Sequence, residues 1–448
     1  MNLVFKVLYR FYRLFSGFRY RLRRRLTPAG WMVVIALGAA ATMGVDTENT
    51  VAYQAFAPLL CLFLAAAAFS LIFRARFTAT RQLPRFGTAG VPVQYRVQLR
   101  NLGHKTERDL TLLENLVDPR PAFAEWRAVQ MANERRIRPF RLNQPRHTKP
   151  FRRTMIRDAA VPPAGPSQDV EVTMELTPLR RGFVRFEGVT LARPDPFGLF
   201  RAFDSCSAPQ ALLVLPKRYP VPQIPLPGMM KYQQGGVALA SNVGLSDEFV
   251  SLREYRRGDP LRHIHWRSWA KAGKPIVKEF EDEFFVRHAL VLDTFTDDPQ
   301  SDAFEEAVSV AASFACSLSM QESLLDLLFV GTEAFCFTAG RGLAHSDHML
   351  EILAGVSACF DKHFEQLENL VIEHSSAVSG CICVLLAWDR SRRAFVRKLQ
   401  NLGLPLLVFV ITEAGKAEQV RTAREEDRPD AFYVLEVGQV EQDLAKIA

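Results

Sequence analysis

The sequence predicts a multi-domain chain: a two-helix transmembrane hairpin, an antiparallel β-sandwich-like domain, and an α/β domain built on a mostly parallel sheet. Three observations predict it. Two long uncharged runs lie close together near the N-terminus; beyond them apolar residues recur with period two; and from His288 onward apolar strands alternate with stretches of helical period. A chain of 448 residues suits two or three domains rather than one. Its hydrophobic share of 48% is that of an ordinary globular protein and can bury a sizeable core.

The first run, Pro28 to Val45, holds 18 residues without a charge, and the second, Val51 to Phe73, holds 23. Crossing the hydrocarbon as a helix takes about 20 apolar residues, so the first run stands near the lower limit. A signal peptide is the rival for that run, but the second follows at once with no polar, small-residue cleavage region between them. Core helices of soluble proteins seldom run this long uncharged. Asp46 and Glu48 lie in the connection, while arginines including Arg74, Arg76, Arg81 and Arg85 follow the second run. The positive-inside rule places both outer flanks, and so both termini, in the cytoplasm.

The formal net charge is +8. Residues 1–27 contain Lys6, Arg10, Arg13, Arg19, Arg21, Arg23, Arg24 and Arg25 and no acid, which leaves 48 basic against 48 acidic residues in the remainder. A basic excess concentrated beside an apolar segment suits anionic membrane lipid. A nucleic-acid-binding domain would carry its own basic face, so no nucleic-acid partner is expected. Lys6, Arg10, Arg13, Arg21 and Arg24 share one helical stripe, apart from Phe5, Leu8, Phe11, Tyr12, Phe15 and Leu22. Such a stripe fits a helix lying in the lipid interface; an unstructured basic arm is the equal alternative.

From about residue 80 to 220 the pattern is that of short strands. VPVQYRVQL (91–99) and DVEVTMEL (169–176) alternate apolar and polar residues, GFVRFEGVTL (182–191) reads as strand, turn, strand, and ALLVL (211–215) as a further strand. Short strands with frequent turns predict a small antiparallel sandwich; residues 104–168 include a stretch that reads as an insertion. Residues 221–285 form a linker and an Arg/Glu/Trp-rich segment. From 286 to 448 the order is strand 288–292, helix 302–318, strand 324–330 with 334–338 beside it, helices 348–359 and 363–376, strand 381–387, helix 391–402 and strand 405–411. Near-continuous apolar strands alternating with helices indicate a parallel sheet covered on both faces. The seven cysteines are odd in number, irregularly spaced and without a CxxC pair. They therefore indicate neither a disulfide framework nor a zinc site and suit a reducing compartment.

Two segments are unusually specific: RRGFVRFEGVTLARPDPFGLF (180–200) and FVSLREYRRGDPLRHIHWRSWAKAGKPIVKEFEDE (249–283). Both resemble the bacterial domain-of-unknown-function family fifty-eight. The resemblance implies a multi-pass protein of the bacterial inner membrane whose C-terminal domain is von Willebrand factor A-like. It also implies a MoxR-type AAA+ ATPase as partner, in assembly or maturation of a complex. His265 stands where the family pattern usually has Asp, so a role resting on that carboxylate does not transfer.

Read on its own chemistry, the second segment crowds Arg253, Glu254, Asp259, Arg262, Lys278 and Glu279 among Tyr255, Gly258 and Trp266. Arginine forks pair carboxylates bidentately and stack on indole faces. The segment is therefore a structural ion-pair network, a docking surface for a partner or, as the least expected reading, a catalytic site. His263 and His265 read as structural histidines, and DPFGLF as a turn in which Asp195 accepts backbone amides and Gly198 supplies a positive φ.

The von Willebrand A resemblance implies a metal site of pattern D-x-S-x-S after the first strand, suited to Mg²⁺, which wants oxygen ligands. Here the run is Asp293-Thr294-Phe295-Thr296-Asp297. Asp293, Asp297 and Asp389 are the candidate ligands, but Phe295 replaces a hydroxyl and cannot ligate, so the site is expected to be weak or empty. No cofactor other than Mg²⁺ is a candidate. The chain has no G-x-x-x-x-G-K-[ST], H-E-x-x-H or G-x-S-x-G, the signatures of nucleotide hydrolysis, zinc proteolysis and serine hydrolysis. The expectation is a membrane-anchored adaptor or scaffold without catalytic residues, for which no small-molecule substrate is identified. A metal-dependent hydrolase using the Asp293 region and a purely structural envelope protein are the alternatives.

Overall fold

A computed structural model describes residues 2–43, 50–118, 120–121, 123, 126–127, 130, 153–222, 249–257, 259, 261–280, 287–296, 298, 301–319, 324–339, 343–360, 362–421 and 428–447. The chain is a mixed α/β protein that divides into two units. One is centred on Met1–Lys217; the other comprises Arg218–Thr296, Asp302–Ile352 and Val356–Ala448.

The first unit begins with three helices: α1 (Asn2–Arg25), α2 (Pro28–Met43) and α3 (Thr50–Ile72). Within α3, Gln54–Ile72 is long and apolar enough to cross a membrane; α2 is a shorter apolar helix. At 1.5 Å per residue its 16 residues rise about 24 Å, short of the roughly 30 Å hydrocarbon layer. Ala29, Val33 and Val34 of α2 pack with Leu62, Phe63, Ala66 and Ala67 of α3 around Leu199 and Phe200. The charged connection read from Asp46 and Glu48 lies outside the described residues.

Two sheets follow. β1 (Phe77–Gln82), β3 (Val93–Asn101), β7 (Asp169–Pro178) and β5 (Thr154–Ile156) form an antiparallel sheet in that order. β2 (Phe86–Thr88), β9 (Arg201–Leu215), β8 (Gly182–Pro194), β4 (Leu110–Leu116) and β6 (Ala159–Val161) form the second, in which β2 runs parallel to β9. The period-two pattern does what it should. Tyr95, Val97 and Leu99 of β3 and Val172, Met174 and Leu176 of β7 share one core with Leu112, Val184, Phe186 and Leu212 of the other sheet.

The strand–turn–strand expected over 182–191 is instead one long strand with a bulge between Phe186 and Gly188. Residues that join the sandwich core run 184, 186 and then 189, 191; the extra residue flips the side-chain parity, and a bulge absorbs it without a turn. Gly188 is required by close approach, since a Cβ there would lie 2.2 Å from the Cys206 carbonyl oxygen. Arg81, counted above among the membrane-flanking charges, is a buried member of β1. Its Nη2 donates to Glu114 Oε2 at 2.6 Å and its Nε to Oε1 at 3.0 Å, while Tyr95 donates to the same carboxylate at 2.9 Å.

DPFGLF is the turn expected. Asp195 accepts the Phe200 and Phe197 amides at 2.7 and 3.2 Å, and Gly198 has φ +69°. The turn also seats the start of α2. Thr27 Oγ1 donates to the Gly198 carbonyl at 2.5 Å and accepts the Gly30 amide at 3.0 Å.

In the second unit, β14 (Ala334–Ala339), β13 (Leu324–Val330), β12 (Arg287–Leu292), β15 (Gly380–Leu385), β16 (Leu406–Thr412) and β17 (Ala431–Glu436) form a six-stranded sheet in that order. Its strands are parallel except β14. Helices α5 (Asp302–Ser319), α6 (Leu343–Gly355), α7 (Glu365–His374) and α8 (Arg390–Asn401) alternate with them. β15 and β16 are buried at every position, which is why they read as unbroken apolar runs. A separate antiparallel pair, β10 (Phe249–Glu254) and β11 (Ile276–Phe280), encloses α4 (Trp266–Ala272). Much of the linker read over 221–247 lies outside the described residues.

Candidate functional site

The strand order creates one natural crevice. The chain leaves β12 for β13 on one side and later returns to β15 on the other, and ligands of open α/β sheets bind outside the carboxyl ends of strands at such a reversal. The residues there are Asp293, Thr294 and Phe295 after β12, and Leu386, Trp388 and Asp389 after β15.

Asp293 is fully buried. It accepts the Phe295 amide at 3.0 Å, the Leu386 amide at 3.0 Å and Arg392 Nε at 2.5 Å. Asp389 caps α8, accepting the Arg392 amide at 3.0 Å and Arg392 Nη1 at 2.5 Å. Arg392 Nη2 donates to the Phe295 carbonyl at 3.0 Å. One guanidinium thus joins two of the three candidate metal ligands. Burial alone would lower the Arg392 pKa, but Asp293 and Asp389 reverse that and raise it.

The rings of Phe295 and Phe364 meet edge to face at 5.7 Å, and Phe364 stacks on the Arg392 guanidinium at 5.0 Å. Thr294 turns away, its hydroxyl donating to the Val330 carbonyl at 2.5 Å. Asp297 lies outside the described residues. Among the described residues no group of three or more His, Cys, Asp or Glu is placed to hold a metal ion. Arg392 was not singled out in the sequence. Its signal was the spacing Asp389-x-x-Arg392 at a helix start, which brings the side chain back over its own cap.

The Arg/Glu/Trp-rich segment is built differently. Arg253 grips Asp259 bidentately, Nη1 to Oδ2 at 2.7 Å and Nη2 to Oδ1 at 3.0 Å, and the Arg256 amide adds a third bond at 2.8 Å. The guanidinium, chiefly, holds the Asp259 carboxyl down at about 2. Glu254 pairs with Lys274 at 3.2 Å in the open. The Tyr255 amide bonds the Pro275 carbonyl at 2.9 Å, so Tyr255 helps to close the hairpin. His265 Nδ1 lies 2.7 Å from Ser268 Oγ at the start of α4, the structural place expected of it. Trp266 stacks on Trp269 with centroids 5.2 Å apart yet is 64% exposed, and Leu252 and Leu261 are exposed as well. Lys278 is half-buried on β11. Gly258 lies outside the described residues, as do the side chains of Arg262 and Glu279.

Residues 251–371 match the family model described as "Protein of unknown function DUF58". "Uncharacterized protein YeaD" of Bacillus subtilis is 29% identical over 193 residues, 42% of this chain and 46% of that protein; the match therefore spans about half of the relative's length. Among solved structures, a cohesin module from a Clostridium perfringens family 33 glycoside hydrolase covers 32% of this chain and 98% of its own at 9% identity, with a TM-score of 0.17. A Vibrio harveyi GH20 exo-β-N-acetylglucosaminidase covers 76% and 57% at 9% identity, with a TM-score of 0.12. Scores that low carry no argument about the fold. The matched segment contains both the exposed tryptophan hairpin and Asp293, and over that segment the chain is similar to the DUF58 family of proteins of unknown function.

Proposed function

We propose that this protein is a membrane-anchored cytoplasmic scaffold that binds protein partners through the β10–β11 hairpin, with a MoxR-type AAA+ ATPase as the partner that the family resemblance implies. The observation that carries this reading is Trp266, stacked on Trp269 yet 64% exposed, in an arginine-rich segment whose Leu252 and Leu261 are exposed as well. Tryptophan and arginine dominate the energetics of protein interfaces, and a short helix closed by a hairpin presents them rigidly. The sheet of the second unit reads as von Willebrand factor A-like. Its crevice, where Arg392 pairs with both Asp293 and Asp389, reads as a structural cluster with no need of bridging Mg²⁺. α3 serves as the membrane anchor, and α2, packed on it, reads as the shorter arm of a two-helix hairpin with both termini in the cytoplasm.

The test is direct binding of the purified ATPase to the detergent-solubilised full chain. Trp266→Ala should weaken binding at least tenfold, the loss expected of an interface anchor, with thermal unfolding unchanged. Unchanged affinity would remove the hairpin from the interface.

A further inference from the structure

α1 presents three distinct faces. Phe5, Tyr9 and Tyr12 face the segment that follows β4. Tyr9 donates to the Pro121 carbonyl at 2.8 Å, its ring meets Phe123 at 5.4 Å, and Phe5 and Tyr12 flank Trp126 at 6.4 and 5.9 Å. Arg120 Nη1 adds a bond to the Arg13 carbonyl at 3.0 Å. This clasp fixes the rotation of the helix about its own axis. Val4, Leu8, Phe11, Leu14, Phe15 and Phe18 follow i, i+3, i+4, i+7 spacing on a second face, and all are exposed, Phe11 by 68%. Lys6, Arg10, Arg13 and Arg21 form a third face beside them, along a groove of about 800 Å³. An apolar stripe left bare on a helix flanked by a cationic stripe is the signature of a segment that lies in the headgroup layer.

We propose that α1 lies in the plane of the membrane surface, its phenylalanine–leucine stripe inserted among acyl chains and Lys6, Arg10, Arg13 and Arg21 bound to the phosphates of anionic phospholipid. The occupant follows from charge and position. Residues 1–27 hold no acid, and α1 leads through Leu26, packed with Ala66 of α3, into the apolar helices. The inference rests on the membrane anchoring proposed for α3 and adds a consequence: the aromatic clasp holds the β-sandwich unit against the bilayer. The protein is then attached at a surface as well as through a span.

The full-length chain is reconstituted into phosphatidylcholine vesicles with or without phosphatidylglycerol, carrying a benzophenone amino acid at position 15 or, as the anchor control, at position 64 of α3, where Leu64 is exposed. We expect position 15 to cross-link phospholipid in the anionic vesicles. The variant Arg10→Gln/Arg13→Gln/Arg21→Gln should lose that cross-link, and the matching triple lysine variant should keep it. At about 1 kcal/mol per basic residue near an anionic surface, three charges shift the surface equilibrium roughly a hundredfold. Cross-linking at position 64 but not at 15 would overturn the inference and leave the anchor standing. Failure at both positions would overturn the anchor as well. Cross-linking at 15 that ignores lipid charge would overturn the anionic docking.

Discussion

The crevice between β12 and β15 and the β10–β11 hairpin use the same residue types to opposite ends. In the crevice, Arg392 and Asp293 are enclosed beside phenylalanine rings while Asp389 caps the helix at the surface, and every oxygen of Asp293 is taken up by amides or by Arg392. In the hairpin, charges crowd the sequence, yet the Glu254–Lys274 pair stands in solvent and an indole is left bare. Charge density along the chain therefore says little about where charge is buried. The buried pair is assembled from residues 99 apart in sequence, whereas the exposed hairpin is a local cluster. The difference separates a region that holds the fold from the exposed region to which binding is assigned in the proposal.

The largest effect should come from breaking the enclosed pair. Arg392→Ala leaves Asp293 buried without its cation, a change that costs about 3–5 kcal/mol when one partner of a buried pair is removed. Denaturant unfolding of the full chain in detergent, followed by the fluorescence of Trp388 on the adjoining loop, should show the drop. Arg81→Ala should do the same in the β unit, where Arg81 and Glu114 are both fully enclosed. A loss under 1 kcal/mol in either variant would mean that solvent reaches the pair.

A smaller effect separates the two regions by pH. Burial lowers the pKa of His288 on β12, and its Nδ1 is enclosed without a hydrogen-bond partner among the described residues. The folded chain resists a proton that the unfolded chain accepts near 6.5. Stability of the α/β unit is therefore full above about that pH and falls as pH drops through the lower folded value. His288→Leu should flatten that acid limb. The Arg253–Asp259 pair of the hairpin should hold through the same window, because Asp259 ionises at about 2.

The smallest effect belongs to the hairpin's exposed pair. Glu254→Ala should change stability by less than about 0.5 kcal/mol, as expected of a surface ion pair. A large loss there would make the segment a structural network after all.

These contrasts also explain what could be read from the sequence. β12, β13, β15 and β16 were legible because strands buried on both faces are unbroken apolar runs, and β3 and β7 because one face is wet. β1 was missed: FTATRQ is short and polar, and its key residue Arg81 is buried through an ion pair that no local pattern shows. β10 and β11 were hidden by charged residues that look like loop. β8 was read as two strands because parity changes at Glu187-Gly188, and a bulge leaves the same mark as a turn. The crevice was found from Asp293, Phe295 and Asp389. The group that joins them comes from the first turn of α8, and only the strand order brings it there.

The most direct test of the account is the effect of a chelator on partner binding. The affinity of the ATPase for the full chain is measured without nucleotide, with and without EDTA, in wild type and Trp266→Ala. If the hairpin binds and Arg392 serves as the crevice's cation, EDTA leaves the wild-type affinity unchanged and Trp266→Ala reduces it. An affinity that collapses with EDTA, recovers with Mg²⁺ and ignores Trp266→Ala would contradict the account and return the binding site to Asp293.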